Sequence, residues 1–221
     1  LATYSYELNN KKAPFDNVNI RKALNLSLDR NVITDKVLGQ GQTPTYVFTP
    51  TYIEEGHLIQ QPAYSKEPMA QRNEEAIKLL EEAGYSKANP LKFSILYNTN
   101  ENHKKVAIAA ASMWKANTKG LIDVKLENQE WKTYIDSRRA GRYDAARAGW
   151  NADYNQATTF GNYFLSNSSN NTAKYANPEY DKAIAESYVA TDAEGRAKAY
   201  AKAEEILAKD FGIVPIFNYV N

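Results

Sequence analysis

The sequence predicts an α/β fold in which a layered, mixed sheet is flanked by helices. Some segments repeat apolar residues at helical spacing, and others alternate apolar and polar residues as strands do. The two kinds of segment follow one another along the middle of the chain, which is typical of helices packed on a sheet. The chain has 221 residues, 43% of them hydrophobic and 24% charged, so it can bury the core of one compact domain.

The first part of the chain predicts two helices and a long loop. An apolar stripe at helical spacing follows Asp16, a residue type that often caps helices. A second, short helix over 32–37 is predicted to end at Gly39, because glycine readily adopts the left-handed conformation that ends a helix. Residues 40–68 contain four prolines and no sustained period, which predicts a long ordered loop.

The middle of the chain predicts alternating helices and strands. A helix is predicted to begin with Asn73 as its N-cap and to end at Gly84. The segments that follow are predicted to be, in turn, strand, helix, strand, helix and strand: 91–97, 106–113, 122–126, 131–139 and 143–149. The polar tract 166–172 then predicts a surface loop.

The last part of the chain predicts two helices and a closing strand. Asn177 followed by Pro178 has the residue types that start a helix. Thr191 and Glu194 have capping-box spacing for a second helix. The apolar run 213–220 predicts the last strand of the sheet.

Charge and composition exclude several classes of protein. The 27 basic and 26 acidic residues give a net charge of +1, which argues against nucleic acid as a partner. No apolar run approaches the roughly 20 residues that cross a bilayer, and residues 1–10 lack the pattern of a signal peptide. The chain has no cysteine, so it contains no disulfide and no thiolate metal site.

Catalytic motifs are absent from the sequence. The two histidines, His57 and His103, lie far apart and neither belongs to an H-E-x-x-H helix. There is no G-x-S-x-G turn, P-loop or G-x-G-x-x-G turn, so we expect no catalytic residues, no metal and no cofactor. A pair of acidic residues that acts as in glycoside hydrolases stays open, because its spacing cannot be read from one sequence.

Residues 127–155 mix aromatic, basic and acidic side chains. On the predicted helix, Arg138 shares one face with Trp131 by helical spacing, which is unusual for a plain core. On the next strand, Arg147 is predicted to lie among alanine and glycine neighbours, which leave room for a ligand. Asp153 lies just past the end of this strand, and ligand sites favour that end. Alternatively, Arg147 and Asp153 simply pair with each other or with neighbours.

Six segments in one order carry a family resemblance. They are NNKKAPFDNVNIRKALNLSLDR, NEEAIKLLEEAGY, ILYNTNENHKK, ENQEWKTY, ARAGWNADYN and SNSSNNTAKY. These segments closely resemble the C-terminal lobe of periplasmic oligopeptide-binding proteins, and the resemblance spans essentially the whole chain. It implies one lobe of a type II periplasmic-binding-protein clamshell, with residues 1–221 as a single peptide-binding lobe.

The resemblance also implies partners and a location. We expect short peptides as ligands, a missing second lobe, and ABC permease subunits in the membrane to which the whole protein, a monomer, delivers its ligand. It implies export to the periplasm and no enzymatic activity. Leu1 is not a methionine, and the chain stops at Asn221 directly after an apolar run, as expected for a piece of a longer protein.

The resemblance assigns roles to particular residues. Asp153 matches the aspartate that pairs with the peptide's α-ammonium group, and Arg147 and His103 match positions near the peptide's carboxyl end. Arg138 and Trp131 match pocket-lining positions. The remaining residues that we expect in the ligand site are Glu7, Gly149, Trp150, Asn151, Asn170, Thr172 and Tyr219. The ligand would be held through its main chain, and water-filled pockets would accept many side chains.

Some positions depart from the family pattern. Leu38 stands where some relatives have a lysine near the ligand's carboxylate, and Arg139 stands where some have histidine. His103, near a predicted helix start, could instead only cap that helix. A binding lobe for murein peptide, haem or another solute stays an alternative, because one scaffold serves several ligands. A hydrolase is the rival from a different class.

Overall fold

The computed structural model describes residues 1–220 and builds them around a six-stranded sheet. The strands are β1 (Ala2–Leu8), β2 (Thr43–Pro44), β3 (Leu91–Asn98), β4 (Ile122–Gln129), β5 (Ala145–Asn151) and β6 (Ile213–Asn218). Their order in the sheet is β2-β6-β1-β5-β3-β4. β3 runs parallel to β4 and β5, whereas β1 pairs antiparallel with β5 and β6. The predicted mixed sheet is confirmed.

Helices flank this sheet. The α-helices are α1 (Val18–Leu26), α2 (Met69–Glu82), α3 (Glu101–Asn117), α4 (Trp131–Arg139), α5 (Thr158–Gly161), α6 (Pro178–Val189) and α7 (Ala193–Asp210). A π-helix covers Val32–Leu38, and short 3-10 helices cover Ala63–Lys66 and Asn162–Phe164. Within residues 1–220, none of the helices combines the length and the apolar composition that crossing a membrane requires.

The central strand β1 has two different faces. Tyr4, Tyr6 and Leu8 are buried in the large apolar cluster that also contains residues of α1, α2 and α3. Thr3 and Glu7 alternate with them and are also buried, at 0% and 1% exposure. The polar face of β1 therefore lies inside the protein, and it brings a carboxylate into the interior.

Two predicted helix starts are wrong. Asn17 rather than Asp16 caps α1, because its side chain accepts a hydrogen bond from the Asn19 amide. Helix α2 begins at Met69 rather than after Asn73. Its first turn includes Arg72, which is buried and donates to backbone carbonyl groups at the end of α1 and beyond. Tertiary contacts thus extend α2 beyond its apolar stripe.

Later helix boundaries agree better with the sequence pattern. Gly39 ends the π-helix with φ +61°, and Asn177 caps α6 with Pro178 in its first turn, as predicted. The cap of α7 is Asp192 rather than Thr191, since the Asp192 carboxylate accepts from the Gly195 amide at 2.7 Å.

Other loops and strands differ from the prediction in detail. The long loop 40–68 contains the short strand β2 and a 3-10 helix. β5 begins two residues later than predicted, so Tyr143 precedes it and packs with Tyr134 of α4. The predicted surface loop 166–172 is wrong at its end, because Asn171 and Thr172 are buried.

Candidate functional site

Arg147 lies in the middle of β5 and is buried. Its Nη2 donates to the Tyr219 hydroxyl at 3.0 Å, and its Nη1 donates to Asn98 Oδ1 at 3.4 Å. The guanidinium carbon lies 5.1 Å from the ring centre of Tyr4, a cation–π distance. No carboxylate within residues 1–220 pairs with Arg147. A buried cation without a counter-charge is costly, so this position favours an anionic group from outside the chain.

His103 lies in the first turn of α3, beside Arg147. Its Nδ1 is 3.1 Å from the Tyr4 hydroxyl. Burial and the nearby charge of Arg147 lower the pKa of His103 to about 4. The imidazole is therefore neutral at neutral pH, and it can act towards a ligand as a hydrogen-bonding group rather than as a cation.

Gly149 allows two polar side chains to approach the backbone of β5. A Cβ atom at this position would lie 2.6 Å from Nη2 of Arg147 and 3.4 Å from the Tyr219 hydroxyl. The first distance is shorter than any real Cβ contact, so a larger residue would displace the guanidinium. The position of the Arg147 side chain therefore requires glycine at position 149.

Glu7, Arg138 and Thr172 form a buried network beneath a cavity. Arg138 Nη2 lies 3.2 Å from the Glu7 carboxylate and 3.0 Å from Thr172 Oγ1, and the Thr172 hydroxyl donates to Glu7. Tyr163 donates to the other carboxylate oxygen at 2.7 Å. Burial alone would lower the pKa of Arg138, but the Glu7 carboxylate raises it above its usual value. This guanidinium is therefore charged and compensated.

A cavity of about 430 Å³ lies above this network. Six of the predicted site residues line it: Trp131, Arg138, Gly149, Trp150, Asn170 and Thr172. Trp131 is 58% exposed, although its ring lies 5.6 Å from that of buried Tyr134. The α4 face that the sequence predicts thus carries Arg138 into the protein and leaves Trp131 at the cavity rim.

Asn151 is the last residue of β5, Asp153 lies two residues after it, and both are exposed. Within residues 1–220, Asp153 forms no ion pair and no side-chain hydrogen bond. The alternative that Arg147 and Asp153 pair with each other is therefore wrong, whereas its other form, a bond to neighbours, holds for Arg147 with Asn98 and Tyr219. The Ala152 amide beside it donates to the Leu1 carbonyl at 2.9 Å. This bond ties the turn that carries Asp153 to the start of the chain.

A second cavity, of about 380 Å³, contains two more of the predicted residues. His103 and Tyr219 line it together with Tyr4 and Leu38. The predicted site residues therefore line two cavities or lie at the exposed end of β5, except for two buried ones: Glu7 lies beneath the first cavity, and Arg147 contacts Tyr4 and Tyr219 of the second. Another cavity, of about 740 Å³, lies between residues 58–64 and α7, and none of the predicted site residues lines it.

Two residues of the site were not singled out from the sequence. Tyr163 completes the Glu7 network, and Tyr4 contacts both His103 and Arg147. Arg139, noted in the sequence as a departure from the family pattern, lines the first cavity. Tyr4 alternates with polar residues in residues 2–8, a pattern that is typical of a strand and could have indicated its position. Among residues 1–220, no group of three or more His, Asp or Glu side chains is arranged to hold a metal ion.

Comparison with known proteins places these residues in a family. A family model described as "Bacterial extracellular solute-binding proteins, family 5 Middle" matches residues 1–172. The periplasmic oligopeptide-binding protein OppA of Haemophilus influenzae is 97% identical over the whole chain, which covers 41% of that protein. OppA of Salmonella typhimurium is 52% identical over the whole chain, which covers 40% of it.

More distant relatives carry other names. The periplasmic murein peptide-binding protein MppA of Escherichia coli is 43% identical over the whole chain and 41% of its own length. Heme-binding protein A of Haemophilus influenzae is 30% identical over 96% of the chain and 38% of its own length. The chain thus spans about two fifths of the length of the curated relatives that it matches.

Solved structures show the same fold. A crystal structure of Haemophilus influenzae OppA in complex with the peptide RPPGFSPFR matches with a TM-score of 0.99 and 97% identity, over 100% of this chain and 43% of that one. The structure of the murein tripeptide-binding protein MppA of Escherichia coli matches with a TM-score of 0.93 and 42% identity, over 99% and 42% of the two chains. The chain therefore belongs to the bacterial extracellular solute-binding proteins of family 5.

Proposed function

We propose that the chain is one lobe of a two-lobed, periplasmic solute-binding protein that captures short peptides for uptake by an ABC importer. One observation carries the proposal: β5 and the turn after it hold a buried cation, Arg147, and an exposed carboxylate, Asp153, and neither is paired with an opposite charge within residues 1–220. A peptide with free ends carries the complementary pair, an ammonium group and a carboxylate. These charges would fix the direction of its main chain.

Asp153 would select the amino end of the peptide. A carboxylate that meets an ammonium group gains a charge-assisted hydrogen bond, which is stronger than a bond between neutral groups. The exposed side chain becomes buried only when the second lobe closes over the ligand. Closure would then make an unpaired Asp153 costly, so peptides without a free amino group would be rejected.

Arg147 and His103 would act near the other end of the peptide. Arg147 supplies the charge, while His103, whose pKa is lowered to about 4, supplies a neutral hydrogen-bonding group. Trp131, Trp150 and Asn170 would line a pocket for a peptide side chain. Large, partly polar cavities accept different side chains with water, which supports broad rather than sequence-specific binding.

The relatives support the location, the partners and the lack of catalysis. The similar proteins are named as periplasmic binding proteins, and the relative at 97% identity was crystallised with a nine-residue peptide. On this basis the whole protein would be a monomer without enzymatic activity that delivers peptides to ABC permease subunits. Relatives named for murein peptide or heme are less similar, at 43% and 30% identity. No contact in the site favours these ligands or a hydrolase.

The proposal is tested at Asp153 in the full-length protein. Asp153→Ala should weaken the binding of peptides with free amino ends by roughly 30-fold or more, because it removes one partner of a desolvated charge pair. The same substitution should leave the binding of N-acetylated peptides, which is weak from the start, unchanged. Isothermal titration calorimetry with matched free and acetylated peptides measures both.

Asp136→Ala removes another exposed carboxylate, on α4, and provides the matched control. It should leave both affinities unchanged. Equal binding of free and acetylated peptides by the unsubstituted protein would refute the role of Asp153. Failure of every peptide to bind would refute peptide capture itself.

A further inference from the structure

The rim of the site cavity carries a cation that the described part of the chain leaves unpaired. Arg139, the last residue of α4, lines the cavity of about 430 Å³ and is exposed. Its guanidinium forms no ion pair and no hydrogen bond within residues 1–220, and its backbone carbonyl accepts from the Lys174 ammonium at 3.3 Å. Arg139 is therefore a second cation at this cavity, beside Arg138.

The charges around the cavity do not balance. Its lining includes Arg138 and Arg139 but no carboxylate. Glu7, which lies beneath the cavity, compensates Arg138 at 3.2 Å and has no comparable contact with Arg139. The end of α4 offers Arg139 only the partial negative charge of a helix C-terminus, about half a unit. The cavity thus has a net positive character.

The other lining groups do not discriminate by charge. Trp131, Trp150 and Tyr163 provide aromatic walls, while Ser169 and Asn170 provide neutral polar groups. A volume of about 430 Å³ lies in the range of small-molecule pockets, so size excludes no single amino-acid side chain. Charge is left as the property by which this cavity distinguishes one peptide side chain from another.

We propose that Arg139 is a specificity-determining residue, which makes this cavity prefer acidic peptide side chains over basic ones. The inference rests on the proposed peptide-binding function and names the substrate class of that site. A guanidinium holds a carboxylate through two parallel hydrogen bonds. A lysine side chain finds no carboxylate in the cavity lining and is repelled by Arg139.

The experiment uses the full-length protein and alanine tripeptides with free ends, in which Glu, Gln or Lys replaces each alanine in turn. At the position that enters the cavity, the Glu peptide should bind about tenfold more tightly than the Lys peptide, with the Gln peptide between them. Arg139→Gln should abolish this order, and Arg139→Lys should restore part of it. Added salt should weaken the preference, because Arg139 is exposed.

Arg142→Gln is the matched control, since Arg142 is exposed, follows α4 closely and does not line the cavity. It should leave the preference for Glu intact. Equal binding of Glu and Lys peptides at every position, or a preference that survives Arg139→Gln, would overturn the inference and leave peptide capture standing. Absence of binding by the whole series, the alanine parent included, would overturn the proposed function and this inference with it.

Discussion

Glu7 and Arg147 represent two ways of burying a charge in this chain. Glu7 is 1% exposed and its carboxylate is satisfied by Arg138, Tyr163 and Thr172. Loss of one partner from such a pair costs about 3–5 kcal/mol, because the other charge stays buried. Within residues 1–220, Arg147 has only neutral partners, namely Asn98, Tyr219 and the Tyr4 ring, so the cost of its burial is only partly offset. The first charge is compensated within the chain, and the second is the one that we propose a ligand carboxylate compensates.

Glu204 is another buried titratable group, and it lies outside the candidate site. It is 5% exposed on α7, and the Thr49 amide donates to its carboxylate. Burial raises the pKa of Glu204 from 4.5 to about 7, although hydrogen bonds from Thr49 and Phe48 lower it. The folded protein therefore keeps a proton between these two pH values, where the unfolded chain releases it.

The stability of the chain should depend on this proton. As the pH rises from 4.5 to about 7, the contribution of Glu204 to the free energy of unfolding falls, since its carboxyl group is protonated in the folded state and ionised in the unfolded state. Glu204→Gln removes the titration while keeping an acceptor for the Thr49 amide. The variant should match the unsubstituted chain near pH 4.5 and exceed its stability near pH 8, by up to about 3 kcal/mol.

Urea unfolding at the two pH values measures this difference. Glu205→Gln is the control, because Glu205 is exposed on the same helix and pairs with Lys209 at the surface. It should show no gain that depends on pH. A Glu204→Gln effect of the same size at both pH values would contradict the buried titration.

The sequence could indicate some site residues and not others. Arg147 and Asp153 were recognisable because one segment holds a strand with small residues and an acid just past its end. The Glu7 network could not be derived from residue patterns, because Glu7 and Thr172 are 165 positions apart and meet only in the folded chain. The resemblance to a family placed both residues in the site but gave no account of their contact. Burial of the polar residues Thr3 and Glu7 on β1 likewise could not be predicted, because it depends on distant residues such as Phe48 and Arg138.

At the scale of elements, α3 connects helix capping to the ligand site. Asn100 caps this helix, and its side-chain oxygen accepts from the backbone amides of Asn102 and His103 at 2.8 and 3.0 Å. The cap therefore fixes the backbone of the residue whose imidazole contacts Tyr4. Asn100 also lines the cavity of about 380 Å³.

Removal of this cap should destabilise the chain and disturb His103. Asn100→Ala should lower the free energy of unfolding by about 1 kcal/mol, because two amides lose their acceptor. Asn100→Ser keeps a capping oxygen and should lose less. Urea unfolding measures the stability, and the NMR signals of the His103 ring report its position. An alanine variant as stable as the unsubstituted chain would show that the cap contributes nothing.

The elements differ in how well their sequence predicts them. Helices with a clear apolar stripe and strands with clear alternation were placed correctly, as in α3 and β3. The start of α2 was missed because its first turn is held by Arg72, which bonds carbonyl groups of another segment. The two-residue strand β2 has no local pattern, since it exists through its pairing with β6.

At the scale of the whole molecule, β1 and β6 determine where the site lies. β1 occupies the middle of the sheet, between β5 and β6, so the first and last strands of the chain are neighbours. The Tyr219 amide donates to the Ala2 carbonyl at 3.0 Å, and the end of β5 pairs with Ala2. Leu1 and Ala2 therefore lie near Tyr219 and near the turn that carries Asp153.

The chain should fold on its own, yet bind peptides weakly. Apolar clusters cover the sheet and include many side chains with no exposure, which is the condition for cooperative folding of a chain of this size.

The ligand groups are only partly enclosed, since Trp131 is 58% exposed and Asp153 is also exposed. Without the second lobe, a salt bridge to Asp153 stays in water, where it contributes at most about 1 kcal/mol. Urea unfolding of the chain should be cooperative, whereas calorimetry should detect weak or no peptide binding and strong binding by the full-length protein. Micromolar or tighter binding by the chain alone would show that one lobe holds a complete site.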